Sequence, residues 1–168
     1  MAHSNNSPEL GMHRWLWLSG LVLALDQVTK WLAVQSFHLY EQFQLLPVFS
    51  FTLAYNTGAA FSFLSGGSGW QRWFLSGVAI VVSGVLINWL VRLRKGETWQ
   101  AISLALILGG AVGNLYDRII HGQVTDFILV HYDRFYFPAF NLADCGITVG
   151  AAMLVLDMFR PRKGVSQK

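Results

Sequence analysis

Two aspartates, Asp126 and Asp144, are the residues of this chain best placed to do chemistry. Asp126 lies within the apolar stretch Val124 to Val130 and Asp144 near the outer end of the last apolar run, and a charged group near hydrocarbon is costly enough that it usually marks function. A pair of carboxyls that can meet is the minimum equipment for acid–base hydrolysis. One keeps a proton while the other activates water, and their pKa values are pushed apart. Asn141-Leu142-Ala143-Asp144, after Pro138, forms a helix start with Asn141 as N-cap and Asp144 at N3. The helix dipole there favours an ionised Asp144, which leaves Asp126 to carry the shared proton. Each residue also has a purely structural reading, Asp144 as a capping acid and Asp126 as an interfacial loop residue.

Other polar residues recur at helical spacing. Gly110, Asn114 and Arg118 fall at i, i+4, i+8 on one face. Gly109 and Gly113 are spaced for close helix packing. Arg118 is either a donor for a substrate carbonyl or for Asp126, or a local partner of Asp117 or a lipid phosphate. Asp26 and Lys30, at i, i+4, form a structural polar pair that lowers the cost of carrying both into a membrane. Alternative chemistries have little support. There is no H-E-x-x-H, and His121 with His131 lacks metal-ligand spacing, so no metal is expected. Ser65 and Ser68 have no evident base, Cys145 is the only cysteine, and no cofactor motif or nucleic-acid patch is visible.

Hydrophobic residues make up 54 % of the 168 and charged residues 12 %. An ordinary soluble domain carries about 25 % charge, so this balance points to a membrane. The expectation is an all-α membrane protein, a single integral domain over 1–168, with four transmembrane helices over about 15–37, 71–91, 99–118 and 140–159. Arg14, the group Arg92, Arg94 and Lys95, and the tail with Arg160, Arg162, Lys163 and Lys168 fall on one side. The positive-inside rule makes that side, with both termini, cytoplasmic. A secretory signal over Trp15 to Leu25 is disfavoured, because no small-x-small cleavage site follows directly.

The outer connection over about 38–68 carries two period-two stretches, Phe49-Ser50-Phe51-Thr52-Leu53 and Ala60-Phe61-Ser62-Phe63. With Asn56-Thr57-Gly58 as the turn they predict a β-hairpin or small sheet on the outer face. Gly66-Gly67-Ser68-Gly69 then forms a flexible link. Val124 to Val130 is too short to cross and is expected to dip along the interface. Asp144 would lie roughly 6 Å inside the fourth span, close enough for Asp126 to share one outer cleft with it.

Five blocks are familiar together. Asp26-Gln27-Val28-Thr29-Lys30, Tyr55-Asn56-Thr57-Gly58-Ala59-Ala60-Phe61, Gly109 to Arg118, Val124-Thr125-Asp126-Phe127 and Phe140-Asn141-Leu142-Ala143-Asp144 resemble, in order, the motifs of the bacterial lipoprotein signal peptidases, or signal peptidase II. The resemblance implies a multi-pass aspartyl endopeptidase of the bacterial inner membrane with its active site facing the periplasm. It would cut prolipoproteins just before a diacylglyceryl-modified cysteine, among membrane lipid, and be inhibited by globomycin. By position, Asp126 and Asp144 match the catalytic pair. Asn56, Gly110, Asn114, Arg118, Asn141 and Ala143 match positions around the substrate cleft. Thr125 stands where an aliphatic residue is expected, and its hydroxyl is placed to shift the Asp126 pKa. A monomer is the expected state. The rival function is a small proton-coupled transporter or channel with Asp26, Lys30, Asp117 and Asp126 as its relay. A purely structural membrane partner is a third reading, and it leaves the two aspartates unexplained.

Overall fold

Four long helices occupy the apolar runs. In the computed structural model, which describes residues 12–58 and 69–159, they are α1 Leu16–Ser36, α2 Trp70–Arg92, α3 Thr98–Ile120 and α4 Leu142–Met158. A short 3-10 turn, His13–Trp15, leads into α1. Their ends follow local chemistry. Gly69, at φ 91°, turns the chain into α2, and Gly122, at φ 79°, turns it out of α3. Asn141 opens α4 with a reciprocal capping box, accepting from the Asp144 N–H while the Asp144 carboxylate accepts from the Asn141 N–H.

α3 is the central helix and packs against each of the other three. Its glycines explain how. A Cβ on Gly109 would stand 2.7 Å from the Ser19 carbonyl oxygen of α1, and one on Gly113 would stand 2.6 Å from Asp26 Oδ2. Gly110 faces the other way, its missing Cβ replaced by the Ala143 carbonyl of α4. Three successive close approaches therefore fix α1, α3 and α4 to one another. At the far end, Met12, Leu86, Leu90, Leu104 and Leu108 form an apolar core between the turn, α2 and α3.

The burial pattern is the reverse of a water-soluble protein. Trp17 and Trp31 on α1, Trp73 and Val81 on α2, and Val155 and Leu156 on α4 point outward, while Asp26, Lys30, Asn114 and Asp117 are buried. A surface of that kind suits lipid as its solvent. Among the described residues, two helices are long and apolar enough to cross a membrane, α2 with mean hydropathy 2.2 and α3 with 1.3. At 17 residues α4 is shorter, and α1 carries Asp26 and Lys30.

A four-stranded antiparallel sheet, in the order β1–β2–β3–β4, caps the end where α1 and α3 finish and α2 and α4 begin. The strands are β1 Gln42–Leu46, β2 Phe49–Asn56, β3 Val124–Tyr132 and β4 Phe135–Tyr136. β1 and β2 form a hairpin with Gln42 opposite Thr52 and the turn at Pro47-Val48, a pairing that the sequence did not announce. The stretch from Val124 is a strand paired with β2, not an interfacial dip. Strand pairing satisfies its backbone groups in one step, which a dipping loop cannot do. Residues Ala60-Phe61-Ser62-Phe63, Ser65, Gly66-Gly67-Ser68 and the basic tail from Arg160 lie outside the described residues.

Candidate active site

β3 and α4 deliver the two aspartates to one place. Asp126 is paired opposite Ala54 of β2. Phe140 bridges to Ile128, its N–H donating to the Ile128 carbonyl over 3.0 Å, and this lays the start of α4 alongside β3. Asn141 is then within reach of Asp126. Its Nδ2 donates to Asp126 Oδ1 at 2.7 Å, and its Oδ1 accepts from the Asp144 N–H at 3.0 Å. One amide thus touches both acidic residues.

A second amide repeats the link from α3. Asn114 Nδ2 donates to Asp144 Oδ1 at 2.7 Å, and Asn114 Oδ1 accepts from Asn141 Nδ2 at 3.2 Å. Asn56, at the end of β2, donates to Asp126 Oδ2 at 3.3 Å. Asp126, Asp144, Asn56, Asn114 and Arg118 line a cleft of about 790 Å³ whose other walls include Tyr40, Phe137, Phe140, Ile147 and Val149. The cleft has polar groups on one side and apolar walls on the other. Asp126 is only 3 % exposed. Burial, and then the negative charge of Asp144, push its carboxyl up from 3.8 to about 7, against the bonds from Asn141 and Asn56. At neutral pH this carboxyl can hold a proton.

Arg118 completes the polar wall. It donates to the Gly58 carbonyl at 3.1 Å and to the Asn114 carbonyl at 3.2 Å, while its buried Nε–H has no acceptor among the described residues. Its partner is not Asp117. That carboxylate turns to Lys30 at 2.9 Å and to Gln27 at 2.9 Å. Lys30 also meets Asp26 at 2.7 Å, so the expected pair is part of a buried group of three charges.

Several residues assigned to the substrate from the motifs stand behind the cleft wall. Gly110 is closed off by the Ala143 carbonyl, Ala143 is fully buried with its N–H on Asp26, and Asn141 is fully buried between the two aspartates. These three support the site without reaching the cleft surface. Thr125 also differs from expectation. Successive strand residues point to opposite faces, so its side chain turns away from that of Asp126. Tyr40 and Phe137 join the wall without a motif to announce them. Tyr40 sits at φ 61° in a turn, and Phe137 follows the short β3–β4 hairpin.

Residues 18–160 match the profile of the family described as Signal peptidase (SPase) II. The chain belongs to the signal peptidase II family. Proteins named lipoprotein signal peptidase agree throughout: that of Pseudomonas paraeruginosa is 62 % identical over 151 residues, 89 % of each chain. That of Pseudomonas syringae pv. tomato is 59 % identical over 162 residues, 95 % of this chain and 92 % of its own. A solved bacterial membrane enzyme superposes with a TM-score of 0.81 at 25 % identity, covering 97 % of this chain and 98 % of its own. A second gives 0.77 at 25 % identity, covering 94 % and 100 %. This is a bacterial membrane aspartic peptidase that removes signal peptides from lipoproteins. Membership sets aside the transporter and the purely structural readings.

Proposed function

We propose that Asp126 and Asp144 act as one proton-sharing pair that hydrolyses a prolipoprotein just before its diacylglyceryl-modified cysteine. The observation that carries this reading is that both carboxylates line one cleft and are joined by a chain of two side-chain amides, Asn141 donating to Asp126 and to Asn114, and Asn114 donating to Asp144. Asp126 holds the shared proton, consistent with its raised pKa, and offers it to the scissile carbonyl oxygen. Asp144 takes a proton from water as that water attacks the carbonyl carbon. The tetrahedral intermediate collapses as Asp144 passes its newly gained proton to the cysteine nitrogen, the C–N bond breaks and a hydroxyl of the intermediate returns a proton to Asp126, and no bond forms between substrate and enzyme. Arg118, Asn114 and Asn56 line the cleft and hold the extended peptide. Asn141, Gly110 and Ala143 keep the two aspartates in place from behind.

In this reading the single domain over 1–168 crosses the inner membrane four times, on α1 to α4, with both termini cytoplasmic and the sheet and cleft facing the periplasm. Ile147 and Val149 belong to both the cleft and α4, and Val149 is exposed on the helix surface that, in this reading, faces lipid. The diacylglyceryl chains can therefore remain in lipid while the peptide enters sideways. Globomycin would occupy the same cleft, and a monomer carries the complete site. The test uses purified protein in lipid bicelles with a synthetic precursor peptide. A peptide with a diacylglyceryl cysteine is cut immediately before that cysteine, and the same peptide without the lipid is not. Equal cleavage of both, or cleavage elsewhere, would overturn the assignment.

A further inference from the structure

Lys30 has more to do than neutralise Asp26. Its ammonium lies 2.7 Å from Asp26 Oδ2, 2.9 Å from Asp117 Oδ2 and 3.1 Å from Asn114 Oδ1, and the residue is 4 % exposed. The two carboxylates do not end at the ammonium. Asp26 Oδ1 accepts the N–H of Ala143 at 2.8 Å, one residue ahead of Asp144. Asp117 Oδ2 accepts the N–H of Thr125 at 3.2 Å, one residue ahead of Asp126. A single cation on α1 thus stands behind the backbone of both segments that carry the acidic pair.

The third contact decides how an amide faces. Asn114 Oδ1 meets two donors, Lys30 Nζ and Asn141 Nδ2, at 3.1 and 3.2 Å. Only the oxygen end of the amide can accept both, so the NH2 end must turn to Asp144, where Nδ2 lies 2.7 Å from Oδ1. The reverse orientation would put an NH2 group against two donors and a carbonyl oxygen against a carboxylate.

From this geometry we infer that Lys30 is a positioning residue for the aspartate pair. It fixes the Asn114 amide toward Asp144 and, through Asp26 and Asp117, the backbone just before Asp144 and Asp126. The inference rests on the aspartate-pair reading and goes beyond it, because Lys30 touches neither the cleft nor a substrate.

Removing the lysine alone would leave two buried carboxylates without a cation, a cost that can unfold the protein for unrelated reasons. The informative comparison is Asp117→Asn against Lys30→Met/Asp117→Asn. The double variant leaves one buried carboxylate, Asp26, instead of two, has the same net charge in this cluster as the native protein, and keeps an asparagine oxygen that accepts from the Thr125 N–H. Both variants are assayed on the diacylglyceryl peptide in bicelles beside the native enzyme. Asp117→Asn sets the reference kcat, and the double variant falls about 100-fold below that reference in kcat with KM within about threefold of it, because misplacing a reacting group by about 1 Å is worth that much. A double variant with the kcat of Asp117→Asn overturns the inference, and so does a loss shared equally by kcat and KM.

Should the double variant not fold, Lys30→Arg replaces it. Its guanidinium keeps the ion pairs but displaces the Asn114 amide, so a melting temperature near native with a lowered kcat supports the inference, and native kcat overturns it. A native enzyme that does not cut the lipopeptide would mean that the peptidase reading has failed. Cleavage by the native enzyme, with no separate effect at Lys30, would mean that only the positioning role has failed.

Discussion

Gly110→Ala adds one methyl group in the third helix, outside the cleft, and is expected to cripple turnover. The new Cβ would fall inside the contact radius of the Ala143 carbonyl oxygen and 2.8 Å from Ile147 Cγ1. The first obstacle is backbone, so it cannot swing aside, and α4 must move away from α3 by about 1 Å. Overpacking of this kind costs about 1–3 kcal/mol of stability. The effect on catalysis is larger than that figure suggests, because Asp144 is the next residue along α4 and would move with it. A displacement of about 1 Å at a reacting group costs about 100-fold in rate. Gly20→Ala is the control, since nothing lies within 4 Å of its added Cβ. Steady-state cleavage of the lipopeptide and thermal unfolding in bicelles read both effects. Native kcat in Gly110→Ala would refute the claim that the α3–α4 approach sets the position of Asp144.

The pH dependence follows from Asp126, which holds its proton up to about 7. The rate is expected to fall about tenfold per pH unit above that point, as the proton to be donated is lost. The unfolded chain releases this proton near 3.8, so the folded state binds more protons between about 4 and about 7. The Asp126 contribution to stability is therefore full below about 4 and is lost as pH rises through about 7. Melting temperature measured across this range shows the trend, and Asp126→Asn flattens it. Asn141→Ala removes a bond that lowers the Asp126 pKa, so the alkaline limb of the rate profile moves above 7, while loss of the cap costs about 1 kcal/mol of stability. Arg118→Lys keeps a charge but loses the planar fork, and steady-state kinetics should show a raised KM with a smaller change in kcat.

The helices were legible because their apolar runs are long and end at charges, turns or caps that sequence displays directly. Asn141 as a cap and Asp144 at N3 are local features, and the capping box matches them. The sheet was harder for two opposite reasons. β3 is buried from Val124 through Phe127 on both faces, so the alternation that would mark a strand is absent. β1 is exposed along its whole length, which leaves no inward face to impose a pattern. The partner of Asp117 was not legible. Its neighbour Arg118 is the obvious local partner, yet the lysine that claims it is far away on α1, and no spacing rule reaches that distance. The motif positions named the right neighbourhood at Gly110, Asn141 and Ala143. Only the packing shows that they face inward, away from the cleft.

Turnover by Asp126→Asn, Asp144→Asn and the double variant, each confirmed as folded, bears most directly on the pair. Groups that act as one unit are strongly non-additive. Each single substitution should therefore abolish lipopeptide cleavage, with the double variant no worse than either single one. Sustained cleavage after loss of either carboxyl, or losses that simply multiply in the double variant, would contradict a shared-proton mechanism.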